Sequence, residues 1–282
     1  MKRIAAQLVK KRVYKSIVHF VLVATSLLSI FPLLWIITTS LKTKPQYLAN
    51  KIGPSWPITL SSIENALSSA NFLKWILNSF FITGAAIVLG TVIAIFAAFA
   101  ITKLSFRGRD LLLDYSIALM AIPVIVMITP LYILFSRLRI VNTYFGMILV
   151  YSGITAPFSA YLLTAFFKTI HWGIIESAII DGCNSLDVLI RIIVPISGPP
   201  LATLLIVNSL WIWNELLLAL IFLPMDKTHT IMVGLTVHQS RYSINVPVVV
   251  AGLLISALPM LILYFALQKF FIQGLVEGSI KG

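Results

Sequence analysis

A chain of 282 residues that is 59% hydrophobic and 11% charged, with a mean hydropathy of +1.00, is too apolar for water, since soluble domains carry about a quarter charged residues. The net charge of +12 does not mark nucleic-acid binding, because the basic residues stand between apolar runs and not along one aromatic-interleaved patch. A single cysteine, Cys183, excludes an internal disulfide and a cysteine-based metal site.

Met1 to Ser16 holds Lys2, Arg3, Lys10, Lys11, Arg12 and Lys15 without an acid, a signal that retains this end in the cytoplasm. The apolar run that follows is too long for a cleavable signal peptide and reads as a retained anchor. Span one covers Ile17 to Leu41, longer than the ~20 residues a bilayer needs, with Pro32 expected to kink it. Lys42 to Lys74 is a polar, proline-punctuated external connector, and a transport domain begins near Asn71.

Span two runs from Trp75 to Ile101. Ala86, Gly90, Ala94 and Ala98 recur every four residues and leave one helical face small. In lipid such a face lets a second backbone come close and gain dispersion contacts, so it reads as a helix-packing face. Lys103, Arg107 and Arg109 bring the chain back inside. Span three, Leu111 to Phe135, contains Pro123 and Pro130, and span four, Tyr144 to Phe167, contains Pro157. Prolines of this kind bend helices around a cavity.

The segment from Lys168 to Pro195 holds the longest polar interruption after the amino terminus on the side read as cytoplasmic. Glu176, Ser177, Asp181, Asn184, Ser185 and Asp187 crowd a dozen positions between apolar spans. Ile175, Ile179, Leu186 and Leu189 recur at three- to four-residue steps, which predicts an apolar stripe on two short helices. Gly182, free of a Cβ, is where those helices meet at an angle. Such a bent pair either docks in a groove of another protein or lies on the lipid surface.

Span five leaves through Pro195, Pro199 and Pro200 and reaches Asn208, Trp211, Trp213, Asn214 and Glu215. Glu215 is the one acid clearly inside a span, and its charge must meet a partner or water. Indole faces and amide or carboxylate groups suit a hydroxylated solute, whereas the alternative is a packing cluster with Glu215 paired to a neighbouring helix. Pro224 to Asn245 is read as an external loop whose His229 and His238 lack the pattern of a metal site. Span six covers Val246 to Leu267, and Gln268 to Gly282 reads as a flexible cytoplasmic tail. Six spans place both termini on one side, with thirteen basic residues inside against eight outside. No phosphate-binding Gly-x4-Gly-Lys loop and no catalytic constellation stand out, so no catalytic residue, cofactor or metal is expected.

Glu176-x-Ala178, Gly182 six residues after the glutamate, and Ile192 and Pro195 beyond it resemble the EAA loop of ABC importer permeases. Ser177 and Val194 are the two departures from that pattern. The chain as a whole is similar to the carbohydrate-uptake branch, in particular the shorter permease of maltose- and glycerol-phosphate-type importers. The resemblance implies an all-α, type I transmembrane domain at residues 71–268, with a coupling loop at 168–195. It is preceded by the terminus, first span and connector at 1–70 and followed by a tail at 269–282.

It also implies an external amphipathic helix near Thr59 to Ala66. Glu176, Ser177, Ala178, Asp181, Gly182, Ile192 and Pro195 are then expected to engage a motor, and Asn208, Trp211, Asn214 and Glu215 to line a sugar pathway. The partners it implies are a second permease, two ATP-binding subunits, an extracytoplasmic solute-binding protein and membrane lipid, with no nucleic acid. The competing expectations are a self-contained transporter using Glu215 as an ion site, an ABC permease for a non-sugar solute, and a membrane scaffold.

Overall fold

The computed structural model describes residues 2–68, 71–241 and 245–279, with side chains described at 14–68, 71–237 and 245–269. Regular structure among these residues is helical throughout. The order is α1 Lys2–Ser40, α2 Lys44–Ala49, α3 Ser61–Leu67, α4 Phe72–Lys103, α5 Arg109–Met120, α6 Val124–Arg137 and α7 Tyr144–Phe167. Then come α8 Trp172–Ile180, α9 Ser185–Asp187, a π-helical stretch Val188–Ile193 and α10 Val194–Ile196. The chain ends with α11 Gly198–Asn214, α12 Leu217–Phe222, α13 Ile231–Arg241 and α14 Val246–Ser279.

Among the described residues four helical stretches are long and apolar enough to cross a bilayer, namely Tyr14–Ser40, Phe72–Lys103, Tyr144–Phe167 and Val246–Lys269. Span three, expected to bend at its prolines, is instead broken. α5 stops at Met120 and α6 starts at Val124, turned by 103°. Pro123 is the cause, because a residue preceding proline is driven out of the helical region, and Pro123 itself is the extended cap of α6. A second break separates Ser185–Ile196 from Gly198–Asn214, with a turn of 75° just ahead of Pro199 and Pro200. Counting each bent pair as one crossing brings the candidate spans to six.

Met1–Ser69 and Gln239–Ser256 form one compact unit. The apolar window of its first span has no buried side chain, as a helix surrounded by lipid requires. Pro32 lies inside an unbroken α1. Thr43 and Gln46 form a reciprocal capping box that starts α2. Ser62 Oγ donates to Lys42 O at 2.6 Å and Thr59 N to Leu41 O at 3.2 Å, which draws α3 back to the end of α1. The Lys42 side chain is wholly buried, its Nζ donating to Asn50 O at 2.8 Å; burial lowers its pKa from the ordinary lysine value.

Ala70–His238 and Ala257–Gly282 form the second unit. Its centre is the seam between α4 and α7. Ala86, Ala94 and Ala98 are fully buried, and Gly90 is buried between them. A methyl group at Gly90 would stand 3.1 Å from Thr155 Oγ1 and 3.4 Å from Ser152 O. Small side chains every fourth residue thus give α7 its close approach. Two apolar clusters flank this waist. One gathers Ile82, Ala86, Met147, Val150, Tyr151, Ile212 and Phe222, and the other Ala94, Ala98, Leu163, Phe167, Leu189, Ile193 and Leu204.

The stretch expected as an external loop, Pro224 to Asn245, is a correction. It makes one 3-10 turn at Asp226–Thr228 and then α13, whose Ile231 and Val233 are fully buried. A methyl group at Gly234 would collide with the Trp75 ring, so α13 lies directly on the indole. The signal was the apolar run Ile231-Met-Val-Gly-Leu, hidden between polar flanks; the His238 side chain lies outside the described residues. The tail, expected to be flexible, continues α14 as far as Ser279, and residues 280–282 lie outside the described residues.

Candidate functional site

The polar segment after α7 folds as a bent clamp. Lys103, at the end of α4, donates Nζ to Ile170 O at 3.1 Å and stands 5.7 Å over the Trp172 ring, which fixes where the segment starts. His171 caps α8 by accepting from Gly173 N at 3.1 Å. The helix ends at Asp181, and Gly182 adopts φ +88°, a left-handed conformation that side chains with a Cβ resist. Asn184 then caps the next turn, its Oδ1 accepting from Leu186 N at 2.9 Å and Asp187 N at 3.0 Å. Asp187 pairs with Arg191 at 3.2 Å on the surface. Pro195 has no N–H for the carbonyl four residues back, and the π-helical stretch ends at Ile193, two residues before it.

The single apolar stripe predicted from spacing splits in two. Ile175 and Leu189 are buried, joined by Ala178, Val188 and Ile193 against Ala94, Ala98, Leu163 and Phe167. Ile179 and Leu186 point outward instead, beside Ile180 and Ile190, and Ile180 is 84% exposed. Gly182 is the physical reason: its positive φ changes the direction of the chain, so a helical period cannot be carried through it. Of the seven residues expected to meet a motor, Glu176, Ser177, Asp181, Gly182 and Pro195 are exposed, Ile192 is half-buried and Ala178 is buried.

The four expected pathway residues separate as well. Asn208 is buried and donates Nδ2 to Ser159 Oγ at 3.0 Å, joining α11 to α7. Asn214 is exposed and donates to Leu210 O of its own helix at 2.8 Å. Glu215 occupies the interruption between α11 and α12. Its Oε1 accepts from Leu218 N at 2.8 Å, and its Oε2 accepts from Ala219 N at 3.1 Å and from Tyr151 Oη at 2.8 Å. A carboxyl group receiving two backbone amides and a phenol is well satisfied. Trp211 is partly exposed and meets Tyr151 edge to face at 6.0 Å, whereas Trp213 is buried against Phe80 at 5.0 Å. Tyr151 and Ser159 carry no sequence signal that singles them out, because each is one polar residue within an apolar span.

At the opposite end of the same unit, the turn before α13 is stitched into its surroundings. Asn71 bonds the Asp226 carboxylate, and Trp75 Nε1 donates to Asp226 O at 3.2 Å. Asn78 Nδ2 donates to Lys227 O at 3.1 Å and His229 O at 2.9 Å while its Oδ1 accepts from Tyr144 Oη at 2.8 Å. Asn142, with φ +60°, accepts from Thr228 Oγ1 at 2.7 Å and Met225 N at 3.3 Å.

Residues 90–276 match the family described as the inner membrane component of binding-protein-dependent transport systems. The sulfoquinovosyl glycerol transport system permease protein SmoH of Agrobacterium fabrum is 31% identical over 90% of this chain and 89% of its own. The melibiose/raffinose/stachyose import permease protein MelC of Bacillus subtilis is 30% identical over 89% and 91%. The fold is shared with a bacterial ABC transporter involved in the import of the acidic polysaccharide alginate, at a TM-score of 0.80, 22% identity and coverage of 92% and 97%. By family match, by relatives along nearly its whole length and by fold, this chain belongs to the inner membrane components of binding-protein-dependent ABC transport systems.

Proposed function

We propose that this chain is one of two permease subunits of an ATP-driven carbohydrate importer, with six spans and both termini in the cytoplasm. The observation that carries the proposal is the bent clamp at residues 168–195. One face is built into the α4–α7 core and the other offers Ile179, Ile180, Leu186 and Ile190 around exposed Glu176 and Asp181. That combination of an apolar anchor with orienting acids suits a groove on a separate ATP-binding subunit. Closure of two such subunits on nucleotide moves the clamp, and the buried Ile175, Leu189 and Ile193 pass the displacement to the inner ends of α4 and α7. The two broken spans supply walls that can turn as bodies.

Sugar as the class of solute is supported by the relatives, whose names give sulfoquinovosyl glycerol and melibiose, raffinose and stachyose as their cargo. The partly exposed Trp211 and the exposed Asn214 are the pathway residues this reading retains. Asn208 and Glu215 hold helices together in it. A neighbour of the same fold was crystallised with a substrate-bound periplasmic protein, which supports an external solute-binding partner here. A transporter driven by an ion gradient through Glu215 is disfavoured, since that carboxylate is committed to two amides and a phenol.

The test is Gly182→Leu in the assembled importer. A Cβ at this position meets no atom within 4 Å, and the left-handed backbone costs a side chain about 1–2 kcal/mol. Insertion in the membrane is expected to persist while solute-stimulated ATP hydrolysis is lost. Unchanged stimulation in reconstituted vesicles would overturn the reading.

A further inference from the structure

We propose that the folded loop between α2 and α3 is an interfacial membrane anchor, with Ile52, Trp56 and Ile58 entering the boundary layer of the bilayer beside the end of α1. The first observation is depth. The uncharged run of α1, residues 17–40, is about 36 Å long at ~1.5 Å per residue, longer than the ~30 Å hydrocarbon layer, so its end reaches the headgroups. Trp35 lies five residues before the end of that span, so its ring stands about 7–8 Å below it, at the edge of the hydrocarbon. Its Nε1 donates to Lys51 O at 2.9 Å. The chain beyond α2 therefore folds back down alongside the span to the level where tryptophans concentrate.

The second observation is rigidity. Asn50 Oδ1 accepts from Gly53 N at 2.9 Å and Ile52 N at 3.3 Å, and its Nδ2 donates to Pro54 O at 3.1 Å. Gln46 Nε2 donates to Pro57 O at 2.8 Å, and the buried Lys42 holds Asn50 O. A loop fastened at this many points presents fixed side chains, and those it presents are apolar. Trp56 is 79% exposed and Ile52 67%, with Ile58 and Leu60 more than half exposed.

Charge favours lipid over a protein as the occupant. Residues 41–60 contain no acid, and with Lys42 buried their accessible charge is that of Lys44 and the exposed Lys51, a balance that suits anionic headgroups, whereas lysine is depleted in the cores of protein interfaces. The inference rests on α1 crossing the membrane and is independent of the solute or the motor.

The importer with its partner subunits is placed in nanodiscs of phosphatidylethanolamine and phosphatidylglycerol, with or without lipids brominated near the glycerol end of the chains. The wild-type emission minus that of Trp56→Phe isolates one of the six tryptophans. That difference component is expected to fall at least twofold with brominated lipid and to resist aqueous acrylamide. Quenching by acrylamide alone would overturn the proposal, as would protection from both quenchers, the result of a covering protein subunit. Protection that appears only on adding the solute-binding protein would overturn it in favour of a docking site. As a check that does not depend on Trp56→Phe, a bimane label at Ile52→Cys in a Cys183→Ser background should be quenched by the same lipids.

Discussion

The two ends of the second unit handle polar backbone in opposite ways. At the turn before α13, Asp226, Lys227 and His229 bond to α4, Thr228 bonds Asn142 just ahead of α7, and α13 presses Gly234 onto Trp75. At the clamp after α7 the caps are local, from His171 to Gly173 and from Asn184 to Leu186 and Asp187, and four large apolar side chains face away from the core. The turn before α13 is held by distant parts of its own unit. The clamp leaves apolar surface uncovered in the single chain, which the proposed function assigns to another subunit.

Substitutions can break or sharpen this contrast. The largest effect is expected from Ile180→Asp. Burying an unpaired charge in a closed subunit interface costs several kcal/mol, so uptake should fall more than tenfold with no change in melting temperature. Unchanged uptake would mean that nothing covers the clamp. Gly234→Ala should act in the reverse sense, lowering stability by about 3 kcal/mol because the Trp75 ring must move. It should spare solute-stimulated ATP hydrolysis in whatever protein remains folded, and selective loss of stimulation would erase the distinction between the ends.

Asn78→Ala removes two donated hydrogen bonds and one accepted from Tyr144, an expected loss of about 2 kcal/mol readable as a lower melting temperature. The smallest effect belongs to Arg191→Ala, which deletes an exposed pair with Asp187. A shift below about 0.5 kcal/mol is expected, and a larger one would show that the clamp's stability depends on its surface charges.

Much of this was legible in the sequence. The small-residue face of α4, the reversal at Gly182 and the long apolar helices follow from side-chain size, backbone freedom and hydropathy, all local properties. The inward and outward faces of the clamp were not legible, because the spacing of Ile175, Ile179, Leu186 and Leu189 assumes one continuous period and the Gly182 turn resets it. The sharp break at Pro123 and the packed α13 were underestimated for a related reason. In a membrane protein both lipid-facing and core-facing side chains are apolar, so hydropathy loses the contrast that marks burial in water. The partners of Glu215 and Asn78 escaped because Tyr151 and His229 lie 64 and 151 residues away, and no spacing rule reaches that far.

The most direct measurement of the central claim is a photo-crosslink from the outward face of the clamp. With Cys183→Ser removing the native thiol, a benzophenone maleimide attached at Ile180→Cys is illuminated in membranes containing the whole importer. The account predicts a covalent adduct with the ATP-binding subunit, in a yield that changes when nucleotide is added. Adducts confined to lipid, with or without nucleotide, would contradict it.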